Sequence, residues 1–391
     1  MFEPAGEIEV EEEIDSGDEL KVPLSPPKKK SRKDVSKWKK SVSLDKSFPP
    51  SRSNVTENIL VLDGSTPNQT WETIFSISML NHIVLHTDLY AQRDKNSPNF
   101  SVSGGDVRKF LGIILLSGYQ SLPQEQHYWS TQPDLGVGLL PVYNTMSRNR
   151  YFAMKKFIHF ADNQNLKEGD KMSTISPLYQ MLNNNLVQLG IFHELLSVDE
   201  SMVPYFGRHS AKIFIRGKPI RFGYKIWGLC GNDGYPYHLK IYQGKEPTAT
   251  AQQETLGKIV MNTMVGIITE NSDALNHELY FDNFFSSYEL MCELAEKDVR
   301  ATGTIRENRT GGAKQKLIGS KELQKKDQGY FDYCTDGKVF VAKWHYNSIV
   351  TTASNWETHS PLHKVNRRVK GGKKRLHSHI LSIHTIKVWV V

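Results

Sequence analysis

The hydrophobic period first changes along this chain at Leu195, and that change limits the fold to a helical part followed by a mixed one. Before it, apolar residues recur every three or four positions. Thr70 is predicted to cap a helix carrying Ile74, Ile77, Leu80, Ile83 and Val84, and Asp106 one carrying Val107, Phe110, Leu111, Ile114 and Leu115. Ser147 precedes a third with Tyr151, Phe152, Met154, Phe157 and Ile158, and Pro177 opens a fourth with Leu178, Met181, Leu182, Leu186 and Leu189. After the change come short β-branched and aromatic runs: Leu195–Asp199, Tyr224–Cys230 and Tyr237–Tyr242, the last two divided by the turn Gly231-Asn232-Asp233-Gly234. Three antiparallel strands are expected there. A helical stretch from Leu256 to Ile268, a strand Glu278–Asp282, a helix with Tyr288, Met291 and Ala295, and a strand Ala301–Ile305 follow.

The order βββ-α-β-α-β is that of a ribonuclease-H-like fold, so the class expected is α+β. In that fold the first and fourth strands lie side by side, which would bring Asp199 and Asp282 together across 83 residues of chain (282 minus 199). Two carboxylates converging from separate strands suit a divalent metal, because Mg²⁺ takes hard oxygen ligands and keeps open positions for the reacting oxygens of a phosphodiester. Each aspartate also has a plainer reading. Asp199 would serve as a surface acid at a strand end, and Asp282 as the N-cap of a helix beginning at Phe284 and Phe285. No Asp or Glu follows Glu357.

The net charge of +7 is located in the termini. Residues 1–20 hold nine acids and no base, residues 21–40 nine bases and one acid, and residues 364–391 eight bases and no acid, so residues 41–363 are neutral overall. A block of like charge and a Pro/Ser/Lys stretch without apolar periodicity give the first 57 residues the signature of a disordered acidic-then-basic tail. Within it Lys28, Lys29, Lys30, Arg32 and Lys33 resemble a nuclear-localisation cluster, with a solvated basic linker as the alternative. In the folded part, Met202–Lys225 holds Arg208, Lys212, Arg216, Lys218, Arg221 and Lys225 with no acid, interleaved with Tyr205, Phe206, Phe214, Phe222 and Tyr224. Cations suit phosphates and aromatic rings suit splayed bases, so this segment is the nucleic-acid candidate; an exposed loop with core aromatics is the alternative. Arg300–Lys326, with eight bases and two acids, would line a backbone channel or form a solvated face.

Three separated cysteines, Cys230, Cys292 and Cys334, fit a reducing compartment better than a disulfide framework. No apolar run approaches the roughly 20 residues of a membrane helix, and no membrane partner is expected. Gly-rich phosphate loops, nucleophile elbows and cysteine pairs at zinc spacing are absent.

Several segments together resemble the piggyBac transposases and the host proteins derived from them. They include Arg108-Lys109-Phe110-Leu111-Gly112-Ile113, Met146-Ser147-Arg148-Asn149-Arg150-Tyr151, Phe157-Ile158-His159-Phe160-Ala161-Asp162-Asn163 and Val198-Asp199-Glu200-Ser201-Met202. Further on come Arg216-Gly217-Lys218-Pro219-Ile220-Arg221-Phe222-Gly223-Tyr224-Lys225, Tyr280-Phe281-Asp282-Asn283-Phe284-Phe285 and Ala301-Thr302-Gly303-Thr304-Ile305-Arg306, in family order over about residues 58–355. The resemblance implies a helical DNA-binding and dimerisation domain over 58–194, a ribonuclease-H-like catalytic-type domain over 195–305 with a β-rich insertion over 306–358, and a divergent basic tail over 359–391. It implies that Asp199 and Asp282 are the first two members of an acidic set binding Mg²⁺, that TTAA-containing or transposon-end-like DNA is the partner in the nucleus, and that the chain pairs as a homodimer. The third aspartate motif and the Cys-rich zinc domain of the family have no counterpart in these residues, so a C-terminally truncated form is expected. The reading that follows is a nuclear DNA-binding protein without transposition activity. Residual Mg²⁺-dependent nicking by Asp199 and Asp282 with Glu200 or Glu357 as substitute acid, and a non-functional fragment, stand as the alternatives.

Overall fold

Helix starts in the first half of the chain are set by hydroxyl caps and prolines. The computed structural model describes residues 37–49, 62–132, 140–244, 255–345, 347–360, 362–369 and 372–379; the basic cluster Lys28–Lys30, Arg32 and Lys33 lies outside them. Two units result, one of Leu62–Gln188 and one assembled from the chain on either side, Met1–Val61 with Leu189–Val391.

In the helical unit, α1 (Pro67–Ile74) is capped by Thr66 and α2 (Ile77–Leu89) follows after a break at Phe75–Ser76. The single helix expected from Thr70 is therefore two. The Thr66-Pro67 pair is the stronger start, since Thr66 and Gln69 exchange hydrogen bonds as a capping box and proline tolerates the first turn. At the break, the Asn185 amide donates to the Ile74 carbonyl at 2.7 Å and to Ser76 Oγ at 3.2 Å, satisfying groups that a continuous helix would have paired. Next, α3 (Gly104–Tyr119) begins one turn earlier than Asp106 suggested: Ser103 is the cap and Asp106 the reciprocal partner of its capping box. After α4 (Leu140–Thr145), α5 (Arg148–Phe157) is capped by Ser147 and α6 (Ser176–Leu186) has Pro177 in its first turn. Their inward faces meet in one core containing Leu80, Ile83, Val107, Phe110, Tyr151 and Met154.

The second unit is built on a sheet that, among the described residues, has nine strands. They are β1 (Leu195–Pro204), β2 (Ile213–Phe214), β3 (Phe222–Gly231), β4 (Pro236–Ile241), β5 (Glu278–Phe281), β6 (Arg300–Thr304), β7 (Phe331–Thr335), β8 (Phe340–His345) and β9 (Ile349–Ser354). The order is β2-β3-β1-β5-β6-β9-β8-β7, with β4 also on β3. Strands β1, β5 and β6 are mutually parallel and the other pairings antiparallel. The α+β class and the β4-β3-β1-β5-β6 neighbourhood agree with the order expected from sequence. Parallel strands need crossovers, supplied by α7 (Leu256–Asn271) before β5 and α8 (Tyr288–Glu296) between β5 and β6. Val260, Met261, Met264 and Ile268 of α7 and Leu290, Met291 and Leu294 of α8 are buried, as are Leu279, Tyr280 and Phe281 of β5.

Three further segments take defined places here. Residues 306–358, read as a β-rich insertion, supply β7, β8 and β9, which continue the main sheet through β9 on β6. Residues 362–379, read as divergent tail, pair as a hairpin of β10 (Leu362–Val369) and β11 (Gly372–His379). Residues 37–49, read as part of a disordered tail, run as a strap over the sheet unit. Trp38 is 3% exposed and donates from Nε1 to the Gly311 carbonyl at 3.4 Å, Lys39 bridges to Thr335 of β7, and Lys40 pairs with Asp332. Asp45 donates its backbone N–H to the Gly337 carbonyl at 2.7 Å, and Lys46 pairs with Asp298 at 2.7 Å. A compositional rule for disorder averages over windows and misses such spaced anchors.

Candidate active site

The register of the sheet brings the two aspartates together. Val198 lies opposite Phe281 in the parallel pairing of β1 with β5, so Asp199 and Asp282 each follow the last paired residue of adjacent strands. Asp282 follows the carboxyl end of β5, and Asp199 lies within β1 where its parallel pairing with β5 stops; open α/β sheets form their sites at such carboxyl ends. The loop after β5 is held by Asp282 itself: its Oδ1 accepts from the Phe284 N–H at 2.7 Å, and its carbonyl accepts from Ser286 Oγ at 2.9 Å. The helix-cap alternative for Asp282 is thereby corrected, because α8 starts at Tyr288 with Ser287 as its cap. Asp282 organises an Asx-type turn instead, which precedes the helix by five residues.

Glu200 joins the cluster. Its backbone N–H donates to Asp199 Oδ1 at 2.7 Å, and its carboxylate meets Lys218 Nζ at 3.1 Å and Lys225 Nζ at 4.0 Å. Lys225 is on β3, where the antiparallel pairing sets it opposite Met202, and its ammonium lies 4.8 Å from the Phe284 ring centre and 5.4 Å from that of Trp227. Lys218 comes from the turn between β2 and β3. The bases of the 202–225 run thus divide in two. Lys218, itself exposed, and Lys225 pair with Glu200, whereas Arg208, Arg216 and Arg221 are exposed and Lys212 is half-buried with its Nζ 2.9 Å from the Gly207 carbonyl.

The local electrostatics follow from this crowding. Protein packed around Asp199 pushes its carboxyl up to about 6, reinforced by the charges of Glu200 and Asp282 and opposed by Lys218, although the side chain keeps solvent access. Burial also raises Asp282, again with Glu200 adding to the effect. Burial lowers Lys225 despite the nearby acids; at Lys218 burial opposes protonation, but the hydrogen bond to Glu200 and the three carboxylates prevail and raise it. Like charges gathered in this way are costly unless a cation joins them.

Asp199 and Asp282 are the two carboxylates that the sheet register brings together. Two hard carboxylate oxygens fit Mg²⁺, which commonly binds through one or two carboxylates and retains several waters. Among the described residues no group of three or more His, Cys, Asp and Glu side chains is arranged as a metal cage. Glu357, the other acid considered as a substitute, is not in the cluster. It is 7% exposed and its charge acts on Tyr280, whose hydroxyl donates to Glu278 at the opposite end of β5.

The Arg300–Lys326 run does not behave as one surface. Arg300 is 2% exposed, donates to the Leu275 and Pro49 carbonyls and lies against the Phe48 and Trp356 rings. Arg306 Nε donates to Asn283 Oδ1 at 3.1 Å and Arg309 Nη1 to the Phe284 carbonyl at 2.9 Å, so both brace the turn that follows Asp282. Sequence reasoning missed these positioning roles. The available signal was the arginine spacing directly after β6, the strand beside β5.

Comparison with known proteins supports the same architecture. A family model described as Transposase IS4 matches residues 66–384. Human piggyBac transposable element-derived protein 3 is 34% identical over 370 residues, covering 93% of this chain and 60% of that protein. Human piggyBac transposable element-derived protein 2 is 34% identical over 316 residues, 80% of this chain and 52% of that protein. The chain thus spans little more than half the length of these relatives. A cryo-EM structure of the piggyBac transposase synaptic complex with hairpin DNA superposes with a TM-score of 0.64 at 17% identity, covering 82% of this chain and 65% of that one; at that identity the likeness concerns the fold.

Proposed function

Because the chain belongs to the piggyBac-type transposase family, we propose that it is a transposase-derived DNA-binding protein of the nucleus that does not carry out strand transfer. The observation carrying this reading is the state of the third carboxylate. Glu200 stands beside Asp199 and Asp282 but is ion-paired with Lys218 and Lys225. A carboxylate engaged by Lys218 at 3.1 Å, with Lys225 4.0 Å away, is a poorer ligand for a second Mg²⁺ than a free one, and two-metal phosphodiester chemistry relies on both ions. What remains is a cationic, aromatic-bearing surface from Arg208 to Arg221 next to a weakly competent acid pair, a combination suited to holding DNA.

The DNA-binding reading extends to the partner expected from the family, TTAA-containing or transposon-end-like duplex, with the chain acting as a homodimer. Nuclear entry would use Lys28, Lys29, Lys30, Arg32 and Lys33. The second reading, Mg²⁺-dependent nicking, is favoured by the juxtaposition of Asp199 and Asp282 on β1 and β5. One assay separates the two. Supercoiled and linear TTAA-bearing DNA is incubated with the chain and Mg²⁺ or Mn²⁺; binding without new nicks is expected. Nicking that disappears in Asp199→Ala would establish the enzymatic reading and refute ours.

A further inference from the structure

Beyond the carboxylates, β1 outruns its parallel neighbour. Strand β5 ends at Phe281, opposite Val198, while β1 continues to Pro204 paired with β3 alone, from Glu200 opposite Trp227 to Pro204 opposite Gly223. The short β2 joins the far side of β3, with Phe214 opposite Phe222. A ribbon of three segments therefore leads away from the aspartates, and the turn after β1 carries Phe206, which is 88% exposed.

That exposure is built into the local backbone. Tyr205 N–H donates to the Phe222 carbonyl at 3.3 Å, and the Tyr205 ring lies 5.0 Å from that of Tyr224. Gly207 sits so close to the Tyr205 ring that a Cβ there would be 2.5 Å from its hydroxyl oxygen, and the Gly207 carbonyl is held by Lys212 Nζ. The chain on both sides of Phe206 is anchored, and the ring is left in water. On the same ribbon and its connecting turns Arg208, Arg216 and Arg221 are exposed, with Ile220 and Phe222 partly so, and no acid occurs between Met202 and Lys225.

We propose that Phe206 is a base-step wedge: the ribbon's arginines hold the phosphates of duplex DNA while the Phe206 ring enters between two base pairs and unstacks them. Apolar side chains presented from a cationic surface act on DNA in this way, and a pyrimidine–purine step yields most readily. Phe206 is seven residues beyond Asp199, at most about 23 Å along extended chain. The unstacked step would then lie within about seven base pairs of the duplex facing the aspartates, at 3.4 Å per pair. The inference rests on the DNA-binding reading.

The test uses the full chain, DNA duplexes carrying 2-aminopurine at successive steps, and anisotropy in parallel to follow binding. Wild type is expected to raise 2-aminopurine emission at one step or a pair of neighbouring steps. Phe206→Ala should abolish that rise while weakening binding about tenfold, the scale of one base–aromatic stack, with the dependence of affinity on salt unchanged because no phosphate contact is lost. Phe206→Trp should retain the rise. Wild-type binding with no emission change at any step, or a rise that persists in Phe206→Ala, overturns the wedge and leaves DNA binding intact. Failure of wild type to bind overturns the DNA-binding reading and the wedge together. A change in oligomeric state of Phe206→Ala without DNA would mark the ring as a protein contact and also overturn the proposal.

Discussion

At the residue scale, burial beside Glu200 and Asp282 bears heavily on Asp199. Its folded value of about 6 lies above the ordinary aspartate value near 4, so the native state holds the proton more tightly than the unfolded chain does. Stability associated with this residue is therefore present below about pH 4 and is lost as pH rises through about 6. In metal-free buffer Asp199→Asn should melt above wild type at pH 7.5, and the two melting temperatures should converge toward pH 4; a variant that melts lower at pH 7.5 would contradict this account. Gly303 is the second sensitive residue. A Cβ there would lie 2.5 Å from the Phe281 carbonyl oxygen and 2.8 Å from Ser286 Oγ, on either side of Asp282. Gly303→Ala is expected to lose about 2 kcal/mol in urea unfolding, the range for overpacking. Gly266 in α7 has open space at its Cβ, and Gly266→Ala should instead gain up to about 1 kcal/mol. Both aspartates were legible in the sequence because each closes a short apolar run. The pairing of Glu200 with Lys218 and Lys225 was not, since it depends on cross-strand register, and local sequence grouped those lysines with the phosphate-binding arginines.

At the scale of elements, the ribbon of β1, β2 and β3 separates two electrostatic tasks within one stretch of sequence. Lys218 and Lys225 face the acids, and the exposed arginines face solvent. Arg216→Ala and Arg221→Ala should each weaken DNA binding for all sequences alike and each reduce the slope of log affinity against log salt by about 1, as expected for loss of one phosphate contact. Lys321→Ala, on α9 (Ser320–Leu323) and exposed, serves as the control and should leave the slope unchanged. If all three behave alike, the basic character acts diffusely and the ribbon has no special part. The start of α5 at Ser147 and the three strands of the meander could be read directly from sequence, whereas the starts of α1 and α3 lie three or four residues before the caps expected. The continuation of the sheet through β9, β8 and β7 could not, because β9 pairs with β6 across about fifty residues and alternation within a strand carries no information about its neighbour. Gly223 marks another limit: its Cβ would fall 1.9 Å from the Val203 carbonyl oxygen, a close approach of β1 and β3 that only the structure reveals.

For the whole molecule, the strap of residues 37–49 joins the first part of the chain to the last strands of the sheet. Trp38 is its main anchor, buried beside Gly311 with its ring 5.9 Å from that of Tyr288. Trp38→Ala should cost about 3 kcal/mol, seen in calorimetry as a lower transition for the sheet unit. Unchanged melting would mean that the strap contributes nothing to stability. The strap also has a consequence for biosynthesis. Lys40 and its partner Asp332 are 292 residues apart, which at about 5–20 residues per second takes a ribosome roughly 15–60 s to cover. Throughout that interval the nascent strap lacks β7, the strand on which Lys39 docks. Any chaperone meeting the emerging polypeptide encounters the strap, Trp38 included, well before β7 can receive it.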